Sequence, residues 1–140
     1  MSRLSIKLMG ALVAIFTFSM SAFAADNAPV FSSPKNKIVV TEQNPEFTIT
    51  LKSNPTTGYS WDVAKIDDLI FKNTGHKYVA PNTKLMGASG YEVWTFKAIY
   101  PTTYKFRVNQ VGHVVMEYKR PWEKNEKPTV VEHFMIVLKK

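Results

Sequence analysis

From Lys37 to Lys139 the chain repeats one pattern: short runs with apolar residues at every second position, broken by Pro, Gly and Asn. The clearest run is Tyr91-Glu92-Val93-Trp94-Thr95-Phe96-Lys97-Ala98, in which Trp94, Phe96 and Ala98 share one face and Val93, Thr95 and Lys97 the other. Period-two alternation is the signature of a half-buried strand, and a sheet of such strands must bury its apolar face against a second layer. The sequence shows no internal repeat, no low-complexity tract and no convincing amphipathic helix. Seven to eight short strands with turn signals between them predict an all-β, immunoglobulin-like antiparallel β-sandwich in a single domain.

The other runs can be placed in the same way. Lys37–Val40 is a short strand and Asn44-Pro45 a turn. Glu46–Lys52 carries Phe47, Ile49 and Leu51 inward and Thr48 and Thr50 outward. Trp61, Val63 and Ile66 continue inward, with Trp61 as a core residue on the third strand, as is common in such sandwiches. Ile70–Lys72 and His76–Val79 read as two strand pieces separated by an Asn73-Thr74-Gly75 turn. Tyr104–Val108 and His113–Tyr118 are two β-rich runs, with Gly112 between them as a bulge or tight turn. Thr129–Lys139 is the last strand.

The first residues have a different character. Arg3 and Lys7 precede an apolar run, Leu8–Phe18, and Ala22-Phe23-Ala24 has the small-x-small form of a cleavage site. The run is shorter than the roughly 20 residues that a membrane-spanning helix needs. The expectation is a signal peptide over 1–24, a flexible lead-in over 25–36 and the sandwich domain over 37–140. The product would be exported, periplasmic or secreted, and free of the membrane after cleavage. Removing 24 of 140 residues leaves 116, enough to bury roughly two-thirds of the unfolded surface without staples. The chain has no cysteine, which excludes a thiol nucleophile, a thiolate metal site, a redox pair and a lipidated cysteine. The net charge of +7 falls to +5 once Arg3 and Lys7 are removed. The lysines are scattered, without the basic stripe or motif that nucleic-acid binding requires.

Three connections stand out from the strands. In Asn54-Pro55-Thr56-Thr57-Gly58-Tyr59, Asn54 can bond its own backbone, Pro55 sets φ and Gly58 supplies a positive φ. Such a loop is stiff, and stiffness reduces the entropy lost on insertion into a partner. It is equally a well-formed turn on a β scaffold. Arg120-Pro121-Trp122 follows a strand that Pro121 must end. Trp122 is either an exposed anchor of the kind that dominates interfaces or folded back on the sandwich with Arg120 stacked on it. Gly87-Ala88-Ser89-Gly90 is a small, glycine-bounded segment that either lets another backbone approach or is simply flexible.

In order and spacing, these three segments together resemble the chagasin-type inhibitors of papain-like cysteine proteases. The resemblance rests on Asn54–Tyr59 followed by Trp61, on Gly87–Gly90 before a strand, and on Arg120-Pro121-Trp122 after a strand ending in Tyr118. It runs over essentially the whole chain from about Asn36. Two departures are visible: Ser89 stands where the family's G-x-G-G pattern has glycine, and the Tyr104–Gly112 stretch is longer than the family's usual connection. The resemblance implies a sandwich whose three loops form a wedge at one end. Thr57 and its neighbours would enter the cleft near the catalytic cysteine, and the other two loops, with Trp122, would grip its walls. The partner would be one protease per inhibitor monomer. Binding would be reversible and non-covalent, with no cofactor.

Two other classes compete with this one. An enzyme would draw on His76, His113, His133, Asp62, Asp67, Asp68 or a glutamate, yet no two histidines have ligand-like spacing and no Ser–His or paired-carboxylate pattern stands out. Each histidine reads as an ordinary surface or half-buried residue of a strand. A binding module for a glycan or a non-protease protein would use the same end of the sandwich, with Tyr59, Tyr91 and Trp122 as its aromatics.

Overall fold

The computed structural model describes residues 32–101 and 107–140. The expected signal peptide, the lead-in up to residue 31 and Tyr104–Phe106 lie outside these residues. Seven strands follow one another: β1 (Ile38–Val40), β2 (Glu46–Ser53), β3 (Ser60–Ile66), β4 (Phe71–Val79), β5 (Gly90–Ala98), β6 (Gln110–Lys119) and β7 (Val130–Leu138). They form two sheets, ordered β1-β7-β6-β3 and β2-β5-β4. The architecture is an immunoglobulin-like β-sandwich.

The alternation places the core. Phe47, Ile49 and Leu51 from β2 and Trp94, Phe96 and Ala98 from β5 meet Trp61, Val114, Met116, Phe134, Ile136 and Leu138 from the opposite sheet. Phe47 stacks on Phe96 and meets Phe71 edge-on, each with ring centroids 5.4 Å apart. Burying a large apolar side chain contributes about 1.5–3 kcal/mol, so this cluster can hold the fold without disulfides.

Several local expectations are corrected. β4 is one strand rather than two pieces: its register against β5 shifts between Asn73 and Gly75, so the Asn73-Thr74-Gly75 signal is a β-bulge. Thr74 is the residue left without a register partner, and Asn73 Oδ1 accepts the Gly75 N–H across it at 3.1 Å. A second bulge between Val63 and Lys65 explains why inward positions change from odd (Trp61, Val63) to even (Ile66).

Gly112 is neither turn nor bulge, because the β6–β7 register is continuous from Gln110 to Tyr118. It is glycine because Ile70 and Phe71 pack where its Cβ would stand. Arg107 and Val108 are exposed and outside any strand. The β6–β7 ladder begins at Gln110, which faces Leu138 at the end of β7, so Arg107–Asn109 lie past the last paired residue of that strand. β1 runs parallel to β7, an exception to the antiparallel pattern, because the chain passes along β7 before turning at Thr41–Asn44 into the other sheet. Thr50, expected outward, is buried: Ser32 accepts and donates bonds of 2.9 Å along the free edge of β2 and covers it.

Candidate functional site

Strand register brings the three connections to one end of the sandwich. Ser53, last in β2, faces Gly90, first in β5, while Val79, last in β4, faces Tyr91. In the other sheet Ser60, first in β3, faces Lys119, and Tyr118 faces Val130, first in β7. The loops after β2, β4 and β6 therefore emerge together.

The first loop is a single 3₁₀ turn, Pro55–Thr57, closed by Gly58 at φ +81°. Thr57 and Gly58 donate their backbone N–H to Asn54 O and Pro55 O at 3.1 and 2.9 Å. Both threonine hydroxyls bond back to Asn54, Thr56 to Oδ1 and Thr57 to the carbonyl, each at 2.6 Å. Pro55, Thr56 and Thr57 remain exposed at the tip. The stiffness expected from Asn, Pro and Gly is thus realised by local hydrogen bonds.

Asn54 also ties this loop to both neighbours. Its Nδ2 donates to Gly87 O at 3.0 Å, and its backbone N–H donates to the Tyr118 hydroxyl at 3.1 Å. The Tyr118 ring lies 5.4 Å from Tyr59 and 5.1 Å from Trp61, and Arg120 sits 4.6 Å above the Tyr59 ring. Arg120 therefore stacks on Tyr59 and not on Trp122. A hydrogen bond from Arg120 Nη1 to Glu123 Oε1 at 3.0 Å raises the guanidinium pKa further, followed by the charge of Tyr59. Trp122 is 65% exposed, and its six-membered ring rests on Gly58 without Arg120 stacked on it.

The second loop turns at Leu85–Ala88, with Ala88 N–H donating to Leu85 O at 3.3 Å and Gly87 at φ +76°. Ser89 has no positive φ, so a side chain there carries no backbone strain. Gly90 is buried beneath Tyr78 and the Val79 carbonyl. Leu85 and Met86, not singled out from the sequence, are 76% and 100% exposed at the apex. They form an exposed apolar pair next to the left-handed Gly87.

A buried residue also escaped the sequence reading. Glu92, 2% exposed, accepts the Ser53 hydroxyl at 2.6 Å and the Trp61 backbone N–H at 3.1 Å through Oε1. Its Oε2 lies 2.9 Å from His76 Nε2, and His76 stacks on Trp94 with centroids 3.9 Å apart. The available signal was parity, since Glu92 shares the inward face with Trp94 and Phe96. Ser53, Glu92 and His76 are the residue types of a hydrolytic triad in the wrong order. The carboxylate stands between hydroxyl and imidazole, so the His76 imidazole does not reach Ser53 Oγ as it would in a triad. Among the described residues no three His, Asp or Glu side chains group as a metal site.

The fold is similar to that of the cysteine protease inhibitor EhICP2 from Entamoeba histolytica, with 20% identity, coverage of 73% of this chain and 95% of that one, and a TM-score of 0.55. The solution structure of amebosin is a looser match: 24% identity, 74% and 97% coverage, TM-score 0.43. No curated protein sequence matches the chain. The stretch 41–136, which holds all three connections, matches the family model of chagasin-type peptidase inhibitors, and the chain belongs to the chagasin family of peptidase inhibitors.

Proposed function

We propose that this protein is a reversible, non-covalent inhibitor of papain-like cysteine proteases, blocking the active-site cleft with the three clustered loops. The observation that carries the reading is the exposed Pro55–Thr57 turn, held by its own hydrogen bonds and braced by Gly87 on one side and Trp122 on the other. A rigid projecting tip loses little entropy on insertion, and flanking loops supply the grip. Asn54, Pro55, Thr56, Thr57, Gly58 and Tyr59 would enter the cleft. Gly87, Ala88, Ser89 and Gly90 would line one wall, and Arg120, Pro121 and Trp122 the other.

Family membership and the EhICP2-like fold support this assignment. With no cysteine in the chain, no mixed disulfide can form with the target's thiolate, and affinity rests on surface fit. The 3₁₀ turn is not the extended conformation that a protease cleaves, which explains how the loop would occupy a cleft without being cut. The complex would be one to one, the inhibitor a monomer, and the site of action the periplasm or medium after removal of 1–24.

The test is titration of Ala25–Lys140 against papain with a fluorogenic peptide, and against trypsin as control. Tight, reversible loss of papain activity with trypsin untouched is the expected result. A folded protein that leaves papain active at micromolar concentration would overturn the reading.

A further inference from the structure

Ser53 and Trp61 are the two ends of the first loop, and one buried oxygen holds both. Glu92 Oε1 receives Ser53 Oγ–H from the end of β2 and Trp61 N–H from the start of β3, strands that lie in different sheets. Its second oxygen is held from β4 by His76 Nε2, and because a carboxylate can only accept, that nitrogen carries the hydrogen. The His76 ring is fixed in turn by its stack on Trp94. Trp61 adds a second clasp, its Nε1–H donating to Lys52 O at 2.9 Å.

We infer that Glu92 is a positioning residue for inhibition: its carboxylate clamps the two feet of the Asn54–Tyr59 loop across the sandwich and holds the tip ready for the protease. The inference rests on the inhibitor reading above. A buried carboxylate in an otherwise apolar face is costly unless its oxygens are bonded, and here three donors meet it. A residue serving only the core would be better replaced by an apolar one of similar size. The geometry points to loop order as what the charge secures.

The test compares wild type with Glu92→Ala, Glu92→Gln and a control, Ile136→Ala, which thins the core at the opposite end of β7. Two quantities are read at 25 °C, well below each melting temperature: NMR amide order parameters of Thr56–Tyr59 in the free protein, and the dissociation rate from papain. Glu92→Ala should lower the loop order parameters from rigid values near ~0.85 toward ~0.6 and speed dissociation by about tenfold or more. Ile136→Ala should lower the melting temperature with neither change. Glu92→Gln keeps a carbonyl for Ser53 and Trp61, and its amide can donate to His76 once the imidazole carries its hydrogen on Nδ1 and accepts at Nε2. With that change of tautomer the variant should stay within about threefold of wild type.

Equal loop order and equal dissociation in Glu92→Ala and Ile136→Ala would overturn the inference. Should Glu92→Ala not fold, Ser53→Ala removes one foot of the clamp alone and is expected to show the same changes at smaller size. Unchanged loop order and dissociation in that variant would equally overturn the inference. Failure of wild type to inhibit papain would instead remove the functional reading, while the order parameters still decide whether Glu92 holds the loop.

Discussion

The indole of Trp122 rests on Gly58 so closely that a Cβ at Gly58 would lie 2.5 Å from Trp122 Cη2. The left-handed residue that closes the first loop is therefore also the seat of the third loop's aromatic. Gly58 is required twice, once for its φ of +81° and once for the space it leaves.

Gly58→Ala should consequently do more than strain the backbone. The left-handed conformation costs a residue with a Cβ about 1–2 kcal/mol, visible as a modest fall in melting temperature. The methyl group must also displace Trp122, so papain inhibition should weaken by more than that strain predicts. Thermal melts and inhibition constants measured together check this, and unchanged inhibition would sink it.

Trp122→Ala should leave stability nearly unchanged, because the side chain is 65% exposed. As an anchor it should weaken inhibition by about 30-fold or more, the size of a hot-spot truncation. Most of the change should lie in the dissociation rate. Trp122→Phe, which keeps an aromatic face near Gly58, should recover part of the loss in surface plasmon resonance.

Leu85 and Met86 give the second loop an apolar apex that the glycine pattern alone does not reveal. Replacing both with serine should keep the melting temperature, since neither is buried. It should weaken binding to proteases with apolar walls about tenfold. A panel of two papain-like enzymes differing in wall polarity would show the effect unequally, and equal effects would argue against these residues setting specificity.

Gly112→Val tests the opposite end. Its side chain would enter the space of Ile70 and Phe71, an overpacking that costs about 1–3 kcal/mol. Chemical denaturation should show the loss, and inhibition per folded molecule should be that of wild type. A matching loss of inhibition would mean that strain travels along β6 to Tyr118 and the loops.

The period-two faces of Tyr91–Ala98 and Glu46–Lys52, the inward Trp61, the absence of cysteine and the Asn-Pro-Thr-Thr-Gly and Arg-Pro-Trp segments determined the fold class and the three loops from the sequence alone. They are local: side-chain alternation and turn chemistry depend on neighbours a few residues away. Partnership between distant segments was decided by the tertiary structure. Asn73-Thr74-Gly75 is the same tripeptide in a turn or a bulge, and only an adjacent β5 that continues past it makes it a bulge. Gly112 is read as a break until Phe71 is found against it. Arg120 finds Tyr59 and not Trp122 because the β3–β6 register sets Ser60 opposite Lys119. Glu92 passed as one acid among several because its donors lie 39, 31 and 16 residues away. Chain folding alone brings them to one carboxylate, and burial gives that carboxylate its hold on the loop.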